Sequence, residues 1–175
     1  MKNYKEELTK AMTWLGDQPG TLFIGQSVAA GGTAMHSTLG KVMNKQKLEL
    51  PVFEETQMGM STGLGMQGYK VISVYPRFNF LLLATNQIVN HLDKLYEMTT
   101  YKPTVIIRTG IGSINPLHPG PQHTGDFTEV FARMCKNIKV KRLDDADDIV
   151  PSYMEAYCNG GATILVEVSD KLNEK

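Results

Sequence analysis

Glu54 and the short run Phe78-Asn79-Phe80 are the residues whose types and spacing point to chemistry. Glu54 follows a strand-breaking proline in Pro51-Val-Phe-Glu54, a glycine-spaced stretch comes next, and the two phenylalanines stand one predicted strand later. A carboxylate and an aromatic ring joined by a close-packed helix suit a flat heterocycle that must be protonated on its edge. The ring face gives the heterocycle a stacking surface. Sharing a proton with the heterocycle's edge asks for a carboxyl withdrawn from water, because desolvation disfavours the charged form. Val52, Phe53 and Met58 are expected to supply that apolar surrounding. Glu55, next in sequence, reads as a first-turn helix residue favoured by the helix dipole.

Alternating helical and strand patterns supply the elements that must hold these groups. Residues 4–15 put Leu8, Ala11, Met12 and Leu15 on one helical face, and Asp17-Gln-Pro-Gly20 ends that helix. A short buried strand over 21–25 follows. A glycine-bearing loop over 29–33 leads into a predicted helix running to about 45, and 48–52 reads as a strand. Small residues three and four apart over 56–68 predict a helix packed closely on a neighbour. Further on come a strand over 69–75, a long helix over about 81–98, and an apolar strand over 104–108. The tail continues with a helix near 127–136, a strand around 138–142, a helix over about 146–157 that Asp144 or Asp145 could cap, and a last strand over 162–168. This rhythm predicts an α/β fold, a mostly parallel sheet flanked by helices on both faces, in a single domain spanning 1–175.

Between the strand ending near 108 and the next helix, residues 109–125 carry glycines, prolines and two histidines without periodicity. Long loops of this kind in compact domains are usually functional, so this one is expected to border the site. His123 is its leading candidate and His118 a weaker one; His91 reads as structural and His36 is unassigned.

Composition narrows the partners. The 175 residues carry 18 Lys+Arg against 18 Asp+Glu, so no overall field draws the chain to nucleic acid or to an anionic membrane. The charged N-terminus and the lack of an apolar run of about 18 residues predict a cytoplasmic protein. Cys135 and Cys158 lack metal-type spacing and read as two buried thiols. No metal-ligand cluster of His, Cys and carboxylates is expected in this chain. Gly63-Leu-Gly65-Met-Gln-Gly68 matches the dinucleotide fingerprint by letter. That fingerprint, however, is a turn between a strand and a following helix, and here the glycines end a helix and a strand follows. They read as helix-packing residues.

The ordered set of Pro51-Val-Phe-Glu54, Gly59 to Gly68, Phe78-Asn79-Phe80 and Asn86-Gln-Ile-Val-Asn-His91 resembles the pyrimidine-binding domain of thiamine diphosphate enzymes. The likeness is in particular to the β-subunit of 2-oxo-acid dehydrogenase decarboxylase components. Leu22-Phe-Ile-Gly25 with Gly31-Gly32 falls at that family's first strand and loop. Val105-Ile-Ile-Arg108 and Gln122-His123-Thr124 fall at its arginine-ended strand and substrate loop.

The resemblance implies that Glu54 is the catalytic glutamate that hydrogen-bonds ring nitrogen N1′ of the aminopyrimidine. It implies that Phe80 stacks on the pyrimidine while Phe78 packs in the sheet, that Gln26 and Phe53 contact the cofactor, and that His123 stabilises charge and moves protons at the substrate carbonyl. Where the family writes G-E-D or G-E-E, this chain has Gly25-Gln26-Ser27, a neutral amide in place of a carboxylate. The resemblance also implies a shared cofactor. A partner subunit carrying the G-D-G motif would hold Mg2+ and the diphosphate, in an α2β2 heteromer, because the family's β-subunit continues into a further domain and this chain reads as a pyrimidine domain standing alone. The expected function is decarboxylation of a 2-oxo acid, active only with the partner. Two alternatives stay open: two-carbon transfer or a synthase reaction of the transketolase type, and a non-catalytic orphan domain that binds a partner protein.

Overall fold

The computed structural model describes residues 2–112, 114 and 118–173. Among these, six strands form one parallel sheet in the order β2-β1-β3-β4-β6-β5: β1 (Thr21–Gly25), β2 (Lys47–Glu49), β3 (Lys70–Tyr75), β4 (Val105–Ile111), β5 (Lys139–Leu143) and β6 (Ala162–Val168). Every pairing is parallel.

The central strands are buried on both faces, which is why they read as unbroken apolar runs. On β4, Val105 and Ile107 point into one core with Ile164 and Val166 of β6, while Ile106 and Leu165 point into the other. Helix α1 (Tyr4–Asp17) and helix α6 (Ala146–Asn159) cover the second of these faces through Leu8, Met12, Leu15, Ile149 and Tyr153. The opposite face is covered by α2 (Glu54–Met66), by α3 (Phe78–Leu81) with the helical turns after it, and by α5 (Thr128–Met134). Asn3 caps α1 by accepting from the Glu6 N–H, and Asp145 caps α6 by accepting from the Asp147 N–H. The α/β fold with helices on both faces is thus the one the sequence pattern predicts.

Two helical expectations are corrected. Residues 34–46 hold only 3-10 turns, His36–Thr38 and Asn44–Gln46. There the Ser37 and Thr38 hydroxyls donate to Ala34 O and Met35 O, and Gln46 Nε2 donates to Gly16 O, so side chains compete for the groups a helix would need. The stretch 81–98 is not one long helix. After α3 come a 3-10 turn (Leu82–Ala84), a π-helical stretch (Gln87–Leu92) and α4 (Leu95–Met98).

Beneath α6 lies a sealed polar cluster. Arg108 and Glu167 are both fully buried, with Nε to Oε1 at 2.6 Å and Nη2 to Oε2 at 3.0 Å. Tyr153 donates to the same carboxylate at 2.7 Å, and Arg108 Nη2 also donates to Thr38. Asp93, equally buried, accepts the backbone N–H groups of Lys136, Asn137 and Ile138 and so fixes the turn into β5. Of the cysteines, Cys135 is buried as expected, but Cys158 is exposed, because its position on α6 faces away from the sheet.

Candidate functional site

Strand order places the site. The chain runs from β1 outward to β2, then returns past β1 to β3, so a crevice opens at the carboxyl ends of β1 and β3, where ligands of open parallel sheets bind. Gln26 follows β1, Glu54 follows β2, and Pro76, Arg77 and Phe80 follow β3. All converge on that edge.

Gly25 makes the first turn possible. Its φ is +143°, and a Cβ there would lie 2.3 Å from Val74 O and 2.8 Å from Gln57 Nε2. No side chain fits that spot, so the β1 backbone can lie against the end of β3 and swing Gln26 toward α2. The loop after it is fastened from the other side. Glu49 accepts from the backbone N–H groups of Ser27 (2.6 Å), Ala29 (2.7 Å) and Ala30 (3.0 Å). Desolvation opposes ionisation of Glu49, but the N–H groups of Ala29, Ala30, Ser27 and Val28 outweigh it and hold the carboxyl below the usual glutamate range.

Glu54 is the first residue of α2 and is 5% exposed. Its Oε1 accepts from Gln26 Nε2 at 3.3 Å, and its backbone carbonyl accepts from the Tyr75 hydroxyl at 3.1 Å. Burial pushes the Tyr75 hydroxyl above the ordinary tyrosine range, so it stays a donor. Oε2 of Glu54 has no donor among the described residues and is not sealed off from solvent. One turn on, fully buried Gln57 donates from Nε2 to Val74 O (3.0 Å) and Ser73 Oγ (3.1 Å), pinning α2 to the end of β3. Gln57 escaped the sequence reading, because the groups it bonds lie on β1 and β3 and come near only in the fold.

Met58, also one turn on, is fully buried as expected of a shielding residue, whereas Val52 and Phe53 are 67% and 60% exposed. Met60, Leu82 and Leu83 are also exposed. Phe78 is buried in α3, against the rings of Phe127 and Phe131.

Phe80 and His123 meet edge to face, with ring centroids 5.6 Å apart. His123 Nδ1 is buried without a partner among the described residues. The backbone carbonyl of His123 accepts from Arg77 Nη1 at 3.1 Å, and that of Gly112 accepts from the same nitrogen at 3.4 Å. Gln26, Arg77 and Phe80 line one cleft of about 270 Å³ with Ser27, Thr33 and Ser169. The structure thus brings Gln26 to Glu54 and Phe80 to His123, and one member of each pair, Gln26 and Phe80, lines this cleft; Phe53 stands outside it. His118 and His91 are exposed, and His36 Nδ1 sits 3.3 Å from Ser27 O. Arg77, which the sequence reading did not single out, is part of the cleft wall.

Gly65 packs α2 as the sequence pattern predicts, since a Cβ there would lie 2.8 Å from Pro103 Cβ; Gly63, by contrast, faces open space. A second cleft of about 160 Å³ lies near the amino ends of β5 and β6, away from this group. Among the described residues, no helix is long and apolar enough to cross a membrane, and no three His, Cys, Asp or Glu side chains are grouped to hold a metal ion.

Comparison with known proteins agrees with this fold. The family described as the transketolase pyrimidine-binding domain matches residues 2–173. The pyruvate dehydrogenase E1 component subunit beta of Chaetosphaeridium globosum is 32% identical over 118 residues, covering 65% of this chain and 36% of that protein. The mitochondrial subunit of Saccharomyces cerevisiae is 28% identical over 130 residues, covering 71% and 35%. The chain therefore spans about a third of the length of these curated relatives. Among solved structures, a split-gene transketolase in an inactive β4 tetramer superposes with a TM-score of 0.73 at 19% identity, over 95% of this chain and 52% of that one. Transketolase from Campylobacter jejuni gives 0.72 at 13% identity, over 93% and 25%. At those identities the structural likeness speaks to fold alone.

Proposed function

The chain belongs to the transketolase pyrimidine-binding domain family, and we propose on that premise that it supplies the catalytic glutamate and the aminopyrimidine pocket of a thiamine diphosphate enzyme that decarboxylates a 2-oxo acid. The observation that carries this reading is Glu54: buried, held through Oε1 by Gln26, and with Oε2 unpartnered among the described residues. A ring nitrogen that must share a proton fits that oxygen. Phe80, beside His123 and on the same cleft as Gln26, offers the ring face on which a pyrimidine stacks. These residues therefore suit the cofactor.

When bound, thiamine diphosphate supplies the carbon nucleophile, and the protein tunes its ring. In this chain Glu54 Oε2 would hold the proton at N1′, with Gln26 keeping the carboxyl aimed. The sealed Nδ1 of His123 leaves Nε2 as the nitrogen able to exchange a proton with a substrate. A carboxyl used in this way acts as a general acid and base, a role worth roughly 10²- to 10⁴-fold in rate.

The Mg2+ and diphosphate site is assigned to a partner subunit carrying the G-D-G motif. The exposed Val52 and Phe53, directly before the buried Glu54, support this, because apolar side chains exposed next to a polar site suit a surface that another chain covers. The relatives named as pyruvate dehydrogenase E1 component subunit beta point to an α-type subunit as that partner.

The test is co-expression with a candidate diphosphate-domain subunit, followed by thiamine diphosphate binding and turnover on a panel of 2-oxo acids and ketose phosphates. The complex is expected to bind the cofactor and turn over a 2-oxo acid, with kcat for Glu54→Gln lower by about 10²-fold or more. Unchanged turnover in Glu54→Gln would remove the glutamate from the mechanism, and turnover on ketose phosphates alone would replace decarboxylation by two-carbon transfer.

A further inference from the structure

Arg77 is half-buried at the end of β3, and only part of its hydrogen-bonding capacity is used within the chain. A guanidinium carries five N–H donors in a rigid fork. The two on Nη1 go to Gly112 O and His123 O, which ties the end of β4 to the loop carrying His123. Nε and Nη2 have no acceptor among the described residues, and neither is a sealed atom. No carboxylate forms an ion pair with Arg77 among the described residues, whereas Arg108 has Glu167 and Arg142 has Asp126 and Asp144. Among the residues lining the cleft Arg77 is the charged one, with Gln26, Ser27, Thr33 and Ser169 as polar lining and Phe80 as an aromatic one.

Tethering two carbonyls calls for two donors and no charge, so it explains half of this side chain. The other half is a charged edge with free N–H groups, on a side chain that lines a space of about 270 Å³. Arginine forms bidentate pairs with carboxylates and phosphates, and such charge-assisted bonds are roughly twice as strong as neutral ones. In a chain with zero formal net charge, this local cation is what selects an anion.

We propose that Arg77 is a specificity-determining residue: the free edge of its guanidinium binds the carboxylate or phosphate of the substrate within the cleft. This rests on the reading of the cleft as the mouth of a thiamine diphosphate site. It adds that Arg77 is the residue that recognises the charge of the substrate. Because Arg77 also holds His123 O, substrate charge and the position of the His123 loop are read by one side chain.

The chain has four arginines, so the Arg77 Nε–H signal can be followed by NMR with Arg133 and Arg142 as internal controls. The full chain is titrated with sodium pyruvate, with inorganic phosphate, and with methyl pyruvate at matched ionic strength. The expected result is a saturable shift of Arg77 with pyruvate or phosphate and none with the ester. Affinity should fall at least tenfold in Arg77→Gln and less in Arg77→Lys, with the Gly112 and Gly125 amide signals confirming that both variants are folded. A tenfold preference between the two anions identifies the source of the charge. The absence of a saturable Arg77 shift with either anion, or equal binding in folded Arg77→Gln, overturns the proposal. If Arg77 binds pyruvate but the co-expressed complex never binds thiamine diphosphate, the subsite stands and the cofactor reading falls. Cofactor binding with a silent Arg77 is the reverse.

Discussion

Gln26 donates its side-chain N–H to Glu54 Oε1 across 3.3 Å, so the group facing the buried glutamate is a neutral amide. The amide orients the carboxyl without competing for its proton. This contact is where the chain departs from the G-E-D or G-E-E of the family it resembles.

Gln26→Glu replaces that contact with two carboxyls at the same separation, and like charges so close share a proton. The acid limb of the complex's pH profile for kcat/KM is expected to move to higher pH by at least about one unit. A profile that superposes on wild type shows that the two side chains do not couple.

Breaking the buried Arg108–Glu167 pair leaves a charge without its counterion. Glu167→Leu and Arg108→Met are each expected to lower stability by roughly 3–5 kcal/mol, whereas the two combined should recover most of that loss. Urea denaturation of the two singles and the double closes the cycle, and simple additivity contradicts the coupling drawn from the 2.6 Å contact.

Asp93 ties acid sensitivity to one turn. Burial would raise its carboxyl, but the N–H groups of Asn137, Lys136 and Ile138 outweigh it and hold the group below the usual aspartate range. A folded-state value depressed below the unfolded one, near 3.9, contributes stability that is present above the unfolded value and is lost as pH falls through the folded one. Asp93→Asn should therefore cost about 2–3 kcal/mol at neutral pH and progressively less below about pH 4. An equal cost at both pH values removes Asp93 from the acid response.

The sheet was legible because its strands are unbroken apolar runs: β1 and β6 fall at 21–25 and 162–168, as the residue pattern predicts. The segment 34–46 misleads because Met35, Leu39 and Val42 are buried at a spacing that a helix would also produce, although the backbone between them only turns. The break in 81–98 hides for a different reason. It follows from the demand of a distant turn on Asp93, whose own N–H bonds Ile88 O in π register. Within the site, motif residues such as Glu54 could be singled out in advance. Gln57 and Arg77 could not, because their roles depend on backbone carbonyls of β3, β4 and a loop that only the fold brings near.

The contrast between the two cysteines has a practical consequence. Burial pushes the Cys135 thiol up to about 11, which keeps it unreactive, while Cys158 is exposed near the carboxyl end of α6. That end lies beside the start of β6, across the length of the sheet from Glu54. A maleimide dye placed on the natural sequence would therefore go to Cys158 alone and leave the cleft untouched. It would give a fluorescent handle for watching a second subunit arrive, with no engineered residue required.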